Sequence, residues 1–137
     1  MSQENVETLN GVVEAFNTRG LDAALAYVHP ELAWHAPPEW LEKPVYRGPE
    51  GLRQLAESWG QNFDDYRLDL DRVVDLGGNR ALALLVQCGR IKGGGNPIEL
   101  ATGWIVEVLD GQLARVDVHF SWESALEAAG LAEQPSG

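Results

Sequence analysis

Apolar residues recur at helical spacing at Val6, Leu9, Val12, Val13 and Phe16, and Gly20 closes the run, so the chain opens with an amphipathic helix. A second, short helix is predicted from about Asp22 to Val28, with Leu25 and Val28 turned inward and His29-Pro30 stopping it. Glu31 to Ala36 reads as a short strand that Pro37-Pro38 ends. An irregular stretch follows whose large aromatics, Trp40 and Tyr46, need something to pack against. Pro49 suits the first position of a third helix, and Leu52, Leu55, Ala56, Trp59 and Phe63 form its apolar stripe.

Beyond Phe63 the period changes from helical to alternating. Tyr66 to Leu76 sets Leu68 and Leu70 against Arg67, Asp69 and Asp71, the signature of a half-exposed strand, and ends at Gly77-Gly78-Asn79. Arg80 to Ile91 is more continuously apolar, which places it nearer the middle of a sheet. Gly93-Gly94-Gly95-Asn96 links it to the next strand. Ser121 then caps a short helix, Trp122 to Ala129, with Gly130 as its left-handed end residue and Leu131 as the accompanying apolar contact.

The most informative stretch is Ile98 to Phe120, two long runs joined at Asp110-Gly111. Asp-Gly between runs of this kind predicts a two-residue hairpin turn, because both central residues need positive φ. An uninterrupted register from that turn pairs Leu109 with Gln112, Glu107 with Ala114, Ile105 with Val116, Gly103 with Val118 and Ala101 with Phe120 on one face. The small residues Ala101 and Gly103 would leave a hollow there. On the other face Val106 meets Arg115, Trp104 meets Asp117 and Thr102 meets His119, an aromatic-plus-arginine composition suited to a homodimer interface.

At 137 residues, with 45% hydrophobic and 23% charged positions, the chain is expected to be one domain, 1–137, with an ordered core of about 3–131. A formal charge of −11 argues against nucleic acid or an anionic membrane as a partner. The single cysteine, Cys88, allows no internal disulfide, and neither a leader segment nor a run long enough to span a membrane is visible. A cytoplasmic location is the expectation.

The order of elements predicts an α+β fold in which a strongly curved, mixed or antiparallel sheet wraps as a cone around the N-terminal helices. Four segments, AFNTRGLDAALAYVHPELAWHAPP, YRGPEGLRQL, VLDGQLARVDVHF and ESALEAAGL, in this order resemble the SnoaL-like branch of the nuclear-transport-factor-2-like superfamily. The resemblance covers nearly the whole chain and implies the cone, an α+β roll of the cystatin-like kind. It does not imply one reaction, since relatives include polyketide cyclases, ketosteroid isomerases, limonene epoxide hydrolases, scytalone dehydratases and proteins without catalysis.

The family's catalytic positions are mostly apolar in this sequence. The isomerase-like base falls on Ala36, the isomerase tyrosine near Val12 and its acidic partner near Gly103. The hydrolase-like positions fall on Leu85, Gln87 and Val118, of which Gln87 alone is polar, and a glutamine orients a water or holds a carbonyl but is no base. Asp117 and His119, two apart on one strand, are the remaining acid–base candidates; the predicted register puts them with Trp104. His35 faces away from the cavity if Trp34 and Ala36 face it. No spacing among the three histidines and Cys88 suggests a metal site, and no motif calls for a cofactor.

The expected ligand cavity is lined by Val12, Phe16, Trp34 and Trp59, and by Leu85, Gln87, Val116, Val118 and Phe120, with Trp40 and Tyr46 near its mouth. Such a lining suits a small hydrophobic, partly oxygenated molecule. The catalytic candidates are Gln87, Asp117 and His119, and the expected dimer interface is Trp104, Val106, Arg115, Asp117 and His119. Whether the chain is an enzyme stays open. A cofactor-independent cyclase, isomerase, dehydratase or hydrolase stands beside a non-catalytic ligand-binding or dimerisation module.

Overall fold

The computed structural model describes residues 2–36 and 45–131. Helix α1 (Ser2–Arg19) is followed by the short helix α2 (Leu21–Ala24), a single 3-10 turn (Leu25–Tyr27) and strand β1 (Val28–His35). Strand β2 (Val45–Arg47), helix α3 (Gly48–Asn62) and strands β3 (Phe63–Gly77), β4 (Arg80–Ile91), β5 (Pro97–Leu109) and β6 (Gln112–His119) come next, and helix α4 (Trp122–Ala128) closes the order. The six strands form one sheet in the order β2-β1-β6-β5-β4-β3. Among the described residues only the β1–β6 pair is parallel, so the sheet is mixed, and the α+β arrangement expected from the sequence is the one observed.

The helices divide between the two faces. Leu9, Val12, Val13 and Ala15 of α1 and Leu52 and Leu55 of α3 are buried together with Leu32, Trp34, Ala81, Ala83, Leu85, Trp104, Val106, Leu113 and Val116 of the sheet. That is the inner face. On the outer face α4 buries Ala125 against Leu82, Leu84 and Ile105, with Trp122 and Leu126 around them. Ser121 caps α4 by accepting the Ser124 N–H at 3.0 Å. At the other end Gly130, at φ 79, donates to the Glu127 carbonyl while Leu131 donates to that of Leu126, the paired end bonds expected of a left-handed glycine.

Three local readings are corrected. Val28 begins β1 instead of ending a helix, and the strand continues through Pro30, which is tolerated because the β1–β6 register is interrupted between Val28 and Ala33. Phe63 opens β3 instead of closing α3. The stretch around Tyr46 is a short edge strand, with Trp34 paired to Tyr46.

The largest correction is the register of the β5–β6 hairpin. Asp110 (φ 55) and Gly111 (φ 74) make the predicted turn, and Leu109 faces Gln112 as expected. Val108 then pairs with Leu113 but Glu107 with Arg115, so Ala114 is an extra, bulged residue. From there Val106 faces Val116, Ile105 faces Asp117, Trp104 faces Val118 and Gly103 faces His119. Because side chains alternate, a one-residue shift exchanges the faces of β5 relative to β6. Trp104 and Val106 therefore lie inside, and the predicted hollow at Gly103 is outside, occupied by α4.

Candidate functional site

Between α1, α3 and the inner face lies a cavity of about 80 Å³, room for several waters or a small ring. Val12, Val13 and Phe16 come from α1, where spacing of three and four residues puts them on one side, and Leu52, Leu55 and Ala56 from α3. Leu21 and Ala24 close one end, while the sheet contributes Trp34, Tyr66, Leu68, Gln87, Trp104 and Leu113. Trp34 and Trp104 meet edge to face, with centroids 5.0 Å apart and planes at 73°. Phe16 meets Tyr66 in the same manner at 5.8 Å.

The polar part of the lining is Gln87 and Tyr66, which Thr102 joins from behind in a chain of three side chains. Thr102, fully buried, donates its hydroxyl to Gln87 Oε1 at 2.9 Å, and Gln87 Nε2 donates to the Tyr66 hydroxyl oxygen. Burial holds the Tyr66 phenol well above its ordinary range, an effect that the N–H donated by Gln87 only partly offsets, so it stays protonated at any physiological pH. The chain can grip an oxygen of a ligand and polarise it. It contains no group that removes a proton at neutral pH.

Of the residues named from the sequence, Val12, Phe16, Trp34 and Gln87 line this cavity. Leu85, Val116 and Tyr46 are buried in the core that surrounds it, and Val118 packs against that core. Phe120 lies beyond the end of β6, half-buried, and does not occur in the described lining. Trp40 lies outside the described residues, as does the side chain of Trp59. Tyr66 in the lining and Thr102 behind Gln87 were missed, and Trp104, expected at a dimer interface, lines the cavity instead. Tyr66 shares its strand phase with Leu68 and Leu70, and Thr102 shares that of Trp104, so period-two counting from the correct apolar face would have found both.

His35, Asp117 and His119 face the other way, with Arg80, Ile105 and Ala128 around a separate outer depression. Asp117 accepts from Arg115 Nε at 3.0 Å, an exposed pair, and His119 Nδ1 is 2.9 Å from Ser124 Oγ of α4. The three are thus separated by the thickness of the sheet from the cavity. Trp104 (5% exposed) and Val106 (0%) cannot serve as the anchors of an outer interface, because the bulge at Ala114 turns them inward.

This curved sheet closed over helices around an apolar cavity has close counterparts. The SnoaL-like domain family matches residues 9–116 of the chain. The chain belongs to the SnoaL-like family. Among solved structures it resembles a nuclear-transport-factor-2-like protein of unknown function from Burkholderia pseudomallei, at 19% identity over 90% of this chain and 95% of that one, with a TM-score of 0.74. It resembles TerC co-crystallised with polyporic acid at 17% identity over 93% and 98%, TM-score 0.74. A protein from Jannaschia proposed to be a SnoaL-like polyketide cyclase is similar at 15% identity over 97% and 95%, TM-score 0.72. At these identities the SnoaL-like fold is shared and the reaction is not thereby transferred. Comparison with curated proteins finds no match. Among the described residues of this SnoaL-like chain, no helix is long and apolar enough to cross a membrane.

Proposed function

We propose that this SnoaL-like protein binds a small hydrophobic, partly oxygenated molecule in the cavity between α1, α3 and the inner sheet face. The observation that carries the reading is the apolar lining interrupted by one hydrogen-bonded polar pair, Gln87 and Tyr66, with Thr102 bonded to Gln87 behind it. That a relative of the same fold was crystallised with polyporic acid supports a small organic ligand for this one as well. Any turnover would be cofactor-independent and would consist of polarising a ligand oxygen with Gln87 and Tyr66 while the apolar walls exclude water. A cyclisation or isomerisation that needs little proton abstraction fits this equipment better than activation of a hydrolytic water, since no carboxylate or imidazole occurs in the described lining.

The test is a titration of the purified protein with small aromatic ketones, followed by nuclear magnetic resonance. Shifts at the Trp34 and Trp104 indoles that saturate, and that weaken in Gln87→Leu, are the expected result. Absence of any saturable shift would remove the reading. Self-association remains a proposal too. It would use the outer face around Arg115, Asp117 and His119, and light scattering of the native chain against Asp117→Arg reads it directly. The lone cysteine and the acidic charge support a cytoplasmic setting.

A further inference from the structure

A primary amide has one acceptor end and one donor end, and the residues around Gln87 decide which end meets a ligand. Thr102 is 0% exposed, and its hydroxyl donates to Gln87 Oε1 at 2.9 Å. The Leu100 carbonyl lies 3.2 Å from the same hydroxyl and is the alternative acceptor for its one proton. With one site of the amide oxygen taken by Thr102, the nitrogen end is directed at Tyr66, which lines the same cavity. One N–H goes to the Tyr66 oxygen, and the second has no acceptor among the described residues. A half-buried N–H in an apolar cavity is incomplete until a ligand supplies an oxygen.

Resting on the binding reading above, we propose that the cavity selects a carbonyl compound, an apolar ring bearing a ketone or aldehyde oxygen, and that Thr102 is the positioning residue that sets this preference by fixing the orientation of the Gln87 amide. A hydrocarbon of the same shape leaves the N–H unpaired. An alcohol accepts the N–H equally well but brings an O–H of its own, for which the lining offers only the oxygens of Gln87 and Tyr66, each already accepting one bond, among Val12, Phe16 and Leu68. The opposite orientation of the chain is the competing arrangement: Thr102 donating to the Leu100 carbonyl, the amide turned over and Tyr66 donating to Gln87. It turns Gln87 Oε1 toward Tyr66, with a second lone pair left to accept from a ligand, and favours the alcohol.

The experiment uses three probes of one shape, acetophenone, 1-phenylethanol and ethylbenzene, titrated into the full chain and followed through the side-chain amide protons of Gln87. Acetophenone is expected to bind about ten-fold tighter than either of the others, the effect of one net hydrogen bond, and to move a Gln87 amide proton downfield. In Thr102→Val the ketone-to-alcohol ratio is expected to fall to about three-fold or less while ethylbenzene affinity stays within about two-fold; Thr102→Ser restores the ratio. Gln87→Leu, a second route should the valine variant fail to fold, brings acetophenone down to the level of ethylbenzene. Preference for the alcohol, or equal binding of all three, overturns the proposal and leaves the binding reading standing. A uniform loss for all probes in Thr102→Val reduces Thr102 to a structural part and overturns its positioning role. No binding of any probe overturns both.

Discussion

A Cβ placed on Gly103 would lie 2.3 Å from the Cβ of Ala125, so α4 rests on the bare backbone of β5. No real pair of carbons tolerates that distance, and the helix or the strand would have to shift. Gly103→Ala is expected to destabilise the fold by about 1–3 kcal/mol in chemical denaturation, the usual cost of overpacking. Ala125→Gly introduced alongside should recover part of this, less the cost of about 1 kcal/mol for glycine within a helix. A Gly103→Ala protein as stable as the parent would show that α4 does not dock on this strand.

Trp104 provides the complementary test of the inner face. It meets Trp34 edge to face within the buried core, so Trp104→Ala should cost about 3–5 kcal/mol, whereas Arg115→Ala, at an exposed ion pair, should change stability by under about 0.5 kcal/mol. Urea denaturation of the two variants side by side decides the matter. A mild Trp104→Ala would put the tryptophan back on the surface and reverse the hairpin register.

Tyr66 predicts a specific alkaline weakness. Its folded-state pKa is raised by burial, so its contribution to stability is fully present below the unfolded-state pKa of about 10 and is lost as pH rises beyond it toward the folded-state value. Over that window stability should fall with a slope of up to about 1.4 kcal/mol per pH unit from this one group. Denaturation midpoints measured from pH 9 to 12 should fall less steeply for Tyr66→Phe than for the native chain. Parallel curves would mean that Tyr66 is solvated.

Asn17 closes the open side of the edge strand β3. Its Nδ2 donates to the Leu68 carbonyl at 2.6 Å and its Oδ1 accepts the Leu68 N–H at 3.0 Å, so the amide stands in for a neighbouring strand. Asn17→Ala should cost about 1–3 kcal/mol and raise hydrogen exchange at the Leu68 amide more than at the other amides of β3. Asn17→Asp keeps the acceptor, loses the donor and sets a carboxylate toward a carbonyl, so it should be no better than alanine. Unchanged exchange at Leu68 would rule out the edge-closing role.

Much of this protein was legible from spacing alone. The helical stripe of α1, the alternation of β3, the Asp110-Gly111 turn and the caps of α4 are decided by interactions within a few residues, and each formed as read. In β6 Val116 and Val118 lie inward and Asp117 and His119 outward, a phase set by alternation within a single strand. The family resemblance placed the same elements in a cone, and with them Val12, Phe16, Trp34 and Gln87 at the cavity.

What the chain's own spacing could not decide was the pairing of one strand with the next. The turn residues dictate only where the hairpin begins; the bulge at Ala114 arises three residues later, from the need to bury Trp104 and Val106 against Trp34 and Val116 while α4 sits on Gly103. One additional residue exchanged the faces of a whole strand, moving a predicted interface tryptophan into the core and a predicted hollow under a helix. The polar chain of Thr102, Gln87 and Tyr66 has the same origin. Its members stand 15 and 21 residues apart in sequence, and only the tertiary packing of three strands brings their side chains within hydrogen-bonding reach.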